Sequence, residues 1–261
     1  TNVVLVTSPR TPGQDYTIVL SNIRDRSAAA NLVTPATRAI RANTIILAPD
    51  DVTLWRYESS SNNLDGTGWQ LPAFNDSGWP QALAGFTTSN ALEITTNGFE
   101  LRTTNMLSAN TGGPQTTYYR VPFNFPGSTA GAALQIVGVV DDGLVAYING
   151  VEAGRLRITN ASPVSFTNLA TAASPETTDF HPNETITLTN LAGLVTGANL
   201  LAIELHQNSL TSSDAALSIQ LVAGIESSTV TPAGPRLTTS RNGAQMTISW
   251  TGTGCTLQET N

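Results

Sequence analysis

Carboxylates, two imidazoles and a handful of aromatic rings are the groups in this 261-residue chain whose types and spacing could do chemistry. Lysine is absent, since all 12 basic residues are arginine, and this excludes intramolecular Lys–Asn isopeptide cross-links. The single cysteine, Cys255, allows neither an internal disulfide nor a cysteine metal site. With two histidines and one cysteine, most routes to an activated nucleophile or a tuned general base are closed. No G-x-S-x-G elbow, H-E-x-x-H pair, phosphate-binding glycine loop or dinucleotide fingerprint occurs. A glycosidase or lyase working with carboxylates alone stays open.

The polar residues worth following fall into three groups. Glu204, His206 and Gln207 stand in IELHQ, upstream of Asp214. They make either a ligand-binding rim or a hydrogen-bonded set that fixes the following loop, because a lone histidine rarely carries metal or catalysis. The other histidine, His181, precedes Pro182 and reads as an ordinary loop residue. Asp141-Asp142 precede Gly143, and adjacent side chains at a turn do not form the facing carboxyl pair that glycosidases need. Turn formation explains them, with a structural calcium site as the alternative, although the D-x-D-x-D-G spacing of a dedicated loop is missing. Among the aromatics, Trp69 and Trp79 flank Phe74-Asn75-Asp76-Ser77 and read as core positions. Trp55 and Tyr57, two apart on one strand face, are the better candidates for an exposed sugar platform, and one of Tyr118 and Tyr119 must face outward.

What must position these residues is a β-sandwich. LQIVGVV runs from Leu134 to Val140, followed by a turn at Asp141-Asp142-Gly143 and a strand over Leu144–Ile148. Asn149-Gly150 then closes a hairpin, because a type I′ turn needs positive φ at both central positions. In GANLLAIELHQ, Leu201, Ile203 and Leu205 share one face while Leu200, Ala202, Glu204 and His206 share the other. The sandwich is expected to bury the first set and to put the acid and imidazole toward solvent or ligand. Helical periodicity is almost absent and Gly, Pro and Asn-Asp punctuation recurs, so the chain is read as all-β.

A net charge of −7 with no basic run argues against nucleic acid or anionic membrane as partner. No apolar run reaches the roughly 18 residues that span a bilayer, so membrane insertion is not expected. No signal peptide opens the chain, and a mature or excised segment is the expectation. Only 12% of the residues are charged, while Thr, Ser, Asn and Gly abound, a balance common in secreted bacterial β-proteins.

Four parts separate along the chain. In residues 1–48, Tyr16, Val19, Ile23 and Asp25 hold places that resemble the closing strand of a bacterial immunoglobulin-like domain. Residues 49–226 carry Trp69, Pro72, Phe74, Asn75-Asp76-Ser77 and Trp79, then Tyr119-Arg120 with Phe123, then the DDG and NG block, then Gly197-Ala198-Asn199-Leu200-Leu201-Ala202. This order resembles the galactose-binding-like jelly roll found in the sugar-binding domain of family 2 glycoside hydrolases and in accessory domains of large secreted bacterial proteins. Pro122 departs from the pattern and requires an edge or a bulge. Residues 227–236 are a Pro/Gly/Ser/Thr linker, and residues 237–261 read as the first strands of another immunoglobulin-like sandwich, with a turn at Asn242-Gly243.

The resemblance implies a non-catalytic, secreted or cell-surface module that binds a polysaccharide or glycan without a cofactor. Trp55, Tyr57, Arg102, Glu204 and His206 are then expected near one sandwich face or loop end, where arginine and carboxylate fix hydroxyls. Two other roles stay open. One is a structural or adhesive unit of an array or filament, in which half-domains are completed by neighbouring copies. The other is an accessory fragment of a glycoside hydrolase.

Overall fold

In the longest strands nearly every second side chain is apolar, and this alternation decides which face of each sheet meets the other. The structure, a computed structural model, describes residues 15–20, 36–41, 44–50, 52–88, 93–94, 99–104, 112–159, 163–175, 184–225, 236–242 and 245–251. Every regular element among them is a strand. In chain order these are β1 (Asp15–Leu20), β2 (Ala36–Arg41), β3 (Thr44–Leu47), β4 (Leu54–Glu58), β5 (Gln81–Leu83), β6 (Phe86–Thr87) and β7 (Glu93–Ile94). There follow β8 (Glu100–Leu101), β9 (Thr103–Thr104), β10 (Thr116–Phe125), β11 (Ala132–Asp141), β12 (Gly143–Ile148) and β13 (Val151–Leu156). The last are β14 (Glu184–Leu188), β15 (Gly197–His206), β16 (Ala216–Ile225), β17 (Arg236–Asn242) and β18 (Gln245–Thr251).

The chain divides into two compact units, Thr1–Tyr16 with Ile40–Glu226, and Thr17–Ala39 with Ser227–Asn261. In the second unit β17 and β18 pair antiparallel, with Asn242 opposite Gln245. The immunoglobulin-like readings of the two ends otherwise fall largely outside the described residues, as do His181 and Cys255.

The first unit is a β-sandwich. One sheet has the order β13-β12-β15-β10-β4-β5, and the other β14-β11-β16-β6-β9 with β3 also paired to β16. From the first sheet Tyr119, Val121, Phe123 and Phe125 of β10, Leu201, Ile203 and Leu205 of β15, and Leu144, Ala146 and Ile148 of β12 point inward. They meet Leu134 and Ile136 of β11 and Leu217, Ile219 and Leu221 of β16. Each fully buried Val, Leu, Ile or Phe among them contributes about 1.5–3 kcal/mol.

The opposite face of the first sheet is covered as well. Trp69 lies over Tyr118 and Ala202, and Leu64, Phe74, Trp79 and Phe166 pack around them. Ile158, Val164 and Ala170 cover Val145. Two irregular segments, residues 59–80 and residues 157–159 with 163–175, therefore roof this face, and Asp65 ties them together. Its carboxylate accepts the Phe166 N–H at 2.8 Å and the Ser165 hydroxyl at 2.9 Å. Contact is close enough that a Cβ on Gly143 would lie 2.8 Å from Ala170 Cβ and from Ile158 Cδ1.

Two turns behave differently. Asn149 and Gly150 have φ of 50° and 88°, the positive pair that a type I′ turn requires, and β12 pairs with β13 across them. Asp141-Asp142-Gly143 is not a hairpin turn, since β11 and β12 belong to different sheets and the triplet carries the chain across the sandwich. Arg157 holds this corner by donating to the carbonyls of Val140 at 2.7 Å and of Asp142, while pairing with Glu184 at 2.6 Å. Pro122 is accommodated where β10 has run past the end of its ladder with β4, which stops at Arg120, so the missing N–H interrupts no bond to β4.

Candidate functional site

The inward residues of β4 are Trp55 and Tyr57, and the strand therefore turns Leu54 and Arg56 outward. On the neighbouring strand Arg120 and Pro122 point the same way, and the register sets Arg120 directly opposite Arg56. Like charges opposed on adjacent strands repel. The chain resolves this by inserting Asp76 from the 59–80 cover: its Oδ2 accepts Arg120 Nε at 2.7 Å, and its Oδ1 lies 3.3 Å from Arg56 Nε. Arg120 is almost fully buried and donates further to the carbonyls of Trp69 and, at 3.1 Å, Leu71. Its guanidinium also lies 5.4 Å from the Phe74 ring centre. Arg56 uses Nη1 on the carbonyls of Asp76 at 3.0 Å and Trp79 at 3.2 Å.

Over these groups lies a cleft of about 310 Å³, lined by Leu54, Arg56, Pro72, Phe74, Asp76 and Gln81 with Arg120, Pro122 and Leu200 at its floor and far side. A second cleft of about 350 Å³ shares Pro122 with it and is otherwise lined by Ile45–Ala48, Asp50, Thr53, Phe123 and Asn124. Burial opposes ionisation of Asp50, but the N–H groups of Thr53 and Val52 and the Thr53 hydroxyl outweigh it and hold this carboxyl below its usual range. Chemically the first cleft can bind. Its one carboxylate is spent on two guanidiniums, so no facing acid pair exists there.

The residues singled out from sequence lie elsewhere. Trp55 is 1% exposed and sits between the sheets, its ring 6.1 Å from that of Phe86, while Tyr57 packs 5.7 Å from the same ring. Both face inward because β4 runs along a double-layered core, so Trp55 is no exposed platform and Tyr57 is half-buried. Trp69 is buried, and Tyr118, on the outer face, is buried beneath it with ring centres 4.7 Å apart. Arg102 acts as a clamp, donating Nε to the Ala84 carbonyl at 3.0 Å, Nη2 to Asp50 O at 2.8 Å and Nη1 to Glu100 at 3.1 Å.

Glu204, His206 and Gln207 do come together, but beneath the cover rather than at a rim. Glu204 is 2% exposed and accepts the Tyr147 hydroxyl at 2.6 Å. His206 is fully buried, with Nδ1 2.8 Å from the Asn168 carbonyl and 2.9 Å from Thr116 Oγ1. That carbonyl can only accept, so Nδ1 carries the proton, and Nε2 faces Glu204 Oε2 at 3.5 Å. Gln207 pairs through its backbone with Gln115 and Ala170, both at 2.9 Å. The set fixes the cover onto the sheet at Asn168 and Ala170. Burial pushes the Tyr147 phenol far up, and the Glu204 charge adds to this; burial likewise raises Tyr118 and Tyr119. Asp214 stays in its own loop, accepting the Ser213 hydroxyl at 3.2 Å.

Of the two acids in the calcium expectation, Asp142 is used to hold backbone N–H groups. The two Asp142 oxygens accept the backbone N–H groups of Ser174 at 2.7 Å and Asn208 at 2.8 Å, which turns the carboxylate into a clip for two loops. Among the described residues no three of His, Cys, Asp and Glu gather in a group that could hold a metal ion.

Arg56, Asp76, Gln81 and Arg120 were not singled out as site residues. For the two arginines the signal lay in Trp55-Arg56-Tyr57 and Tyr119-Arg120-Val121, where a guanidinium interrupts an apolar strand and points away from the core; Asp76 and Gln81 carried none.

No family model matches the chain, and the curated proteins contain no match. Similar solved structures include a β-glycosidase from Bacteroides vulgatus, at 15% identity and a TM-score of 0.40 over 79% of this chain and 24% of that one. A β-glucuronidase from glycoside hydrolase family 2 is similar at 13% identity and a TM-score of 0.39, over 93% of this chain and 22% of its own. A Ruminococcus gnavus β-glucuronidase is similar at 8% identity and a TM-score of 0.40, over 94% of this chain and 34% of its own. The chain thus spans between a fifth and about a third of the length of these enzymes.

Proposed function

We propose that residues 44–225 form a non-catalytic binding module of a larger secreted or cell-surface protein, and that the cleft over Arg56 receives a saccharide. One observation carries this reading. His206 and Glu204 are sealed under the cover and spent on hydrogen bonds, and Asp76 is spent on two guanidiniums, whereas the cleft presents a guanidinium and an amide between apolar walls. Saccharides suit such a surface, since their C–H faces pack on Leu54, Pro72, Phe74 and Leu200 while their hydroxyls reach Gln81 and Arg56. Kinship with the galactose-binding-like jelly roll, on the motifs around Trp69, Arg120 and Asn149-Gly150, belongs to this proposal.

Affinity electrophoresis through plant, algal and bacterial polysaccharides tests it. The native chain is expected to be retarded by at least one polymer without cleaving it. Leu54→Glu should remove the retardation, because Leu54 is 48% exposed at the cleft wall and its change leaves the core intact. Uniform mobility across the panel would overturn the reading.

A further inference from the structure

We infer that the saccharide taken by the Arg56 cleft carries an anionic substituent, a carboxylate or a sulfate; this deepens the preceding proposal and rests on it. The charge count leads there. Arg56 and Arg120 bring two positive charges and Asp76 one negative, so the lining holds one uncompensated positive charge.

That charge sits on Arg56 rather than on Arg120. The Arg120 side chain is 3% exposed and is spent on Asp76 and on the carbonyls of Trp69 and Leu71. Arg56 is 29% exposed and lines the cleft, and its contacts within the fold engage Nε and Nη1 and leave Nη2 without a partner in the fold. A guanidinium edge meeting a carboxylate or sulfate forms charge-assisted, directional hydrogen bonds. Gln81 stands opposite Arg56 in the β4–β5 register and is exposed, so its amide can donate to the same anion or to a neighbouring hydroxyl. The adjoining cleft beyond Pro122 has the opposite sign, with an ionised Asp50. An extended ligand crossing Pro122 would therefore place its anionic group over Arg56 and neutral, hydroxyl-rich units toward Asp50.

The overall charge of −7 sets a bound on this ligand. It opposes densely charged polyanions, while at physiological salt a single anionic group within about 8 Å of Arg56 is governed by that residue. Sparse substitution along a neutral backbone fits better than a fully sulfated chain.

The test compares neutral, uronate-bearing and sulfated polysaccharides on the full chain by affinity electrophoresis and calorimetry. The native protein should favour one anionic class over its neutral counterpart, and the two anionic arms tell carboxylate from sulfate. Gln81→Glu should weaken that binding by about tenfold or more by pairing with Arg56 and cancelling its charge. Gln81→Arg should strengthen it. Both variants sit at an exposed edge-strand position, and an unchanged melting temperature verifies that the fold is kept. Equal binding of neutral and anionic polymers, indifferent to Gln81→Glu, would overturn this inference and leave the binding module standing. Silence toward all three classes would overturn both.

Discussion

Asp76 shows how one carboxylate can hold an entire wall of a site. It is the anion between two guanidiniums that the strand register forces to face each other, and one of them is almost fully buried. Replacing Asp76 by Asn keeps the shape and removes the charge. The fold should lose about 2–3 kcal/mol, below the full cost of breaking a buried pair because Asp76 is partly open to water. Urea denaturation checks this as a lowered midpoint at unchanged slope. Glu204 and His206 illustrate the opposite case, where reactive groups become structural because each meets a dedicated partner in Tyr147, Thr116 or Asn168. The phase of β15 was legible in its sequence, since Leu201, Ile203 and Leu205 do oppose Glu204 and His206. What alternation cannot supply is the identity of the medium on each side.

At the scale of elements, that medium is set by the two covers, residues 59–80 and residues 157–159 with 163–175. Neither has a period of two or of 3.6, so neither advertises itself as a layer, and the acid and imidazole therefore read as solvent-facing. The Asn149-Gly150 turn was legible because its chemistry is local, whereas the Asp141-Asp142-Gly143 corner read as no more than a turn because crossing between sheets leaves no local mark. Trp55 and Tyr57 were given the right common face and the wrong surroundings, for the same reason as β15. Gly143→Ala tests the cover directly. The new methyl would crowd Ala170 and Ile158, pushing the cover outward at a cost of about 1–3 kcal/mol. Hydrogen exchange should then quicken at the Ala170 amide, which donates to the Gln207 carbonyl, while the β11–β16 ladder keeps its protection.

For the whole sandwich unit, the buried phenols predict a limit at high pH. Burial raises Tyr118, Tyr119 and Tyr147 above their unfolded value of about 10. A raised pKa on an acid means the folded state keeps protons that the unfolded chain releases. The stabilisation is complete below pH of about 10 and declines as pH climbs beyond it. Ultraviolet titration should therefore register these three phenolates only together with loss of the fold, and phenolates formed reversibly in the folded protein would contradict the burial described. The roofed sheet carries a consequence for how the protein fails. Its outer face holds Val145, Tyr147, Ala202 and Tyr118, an oily surface in its own right. Were the covers to peel away while the ladders between strands endured, the remaining body would be well ordered yet adhesive, so that clumping under heat would begin from an almost native particle rather than from an unravelled one.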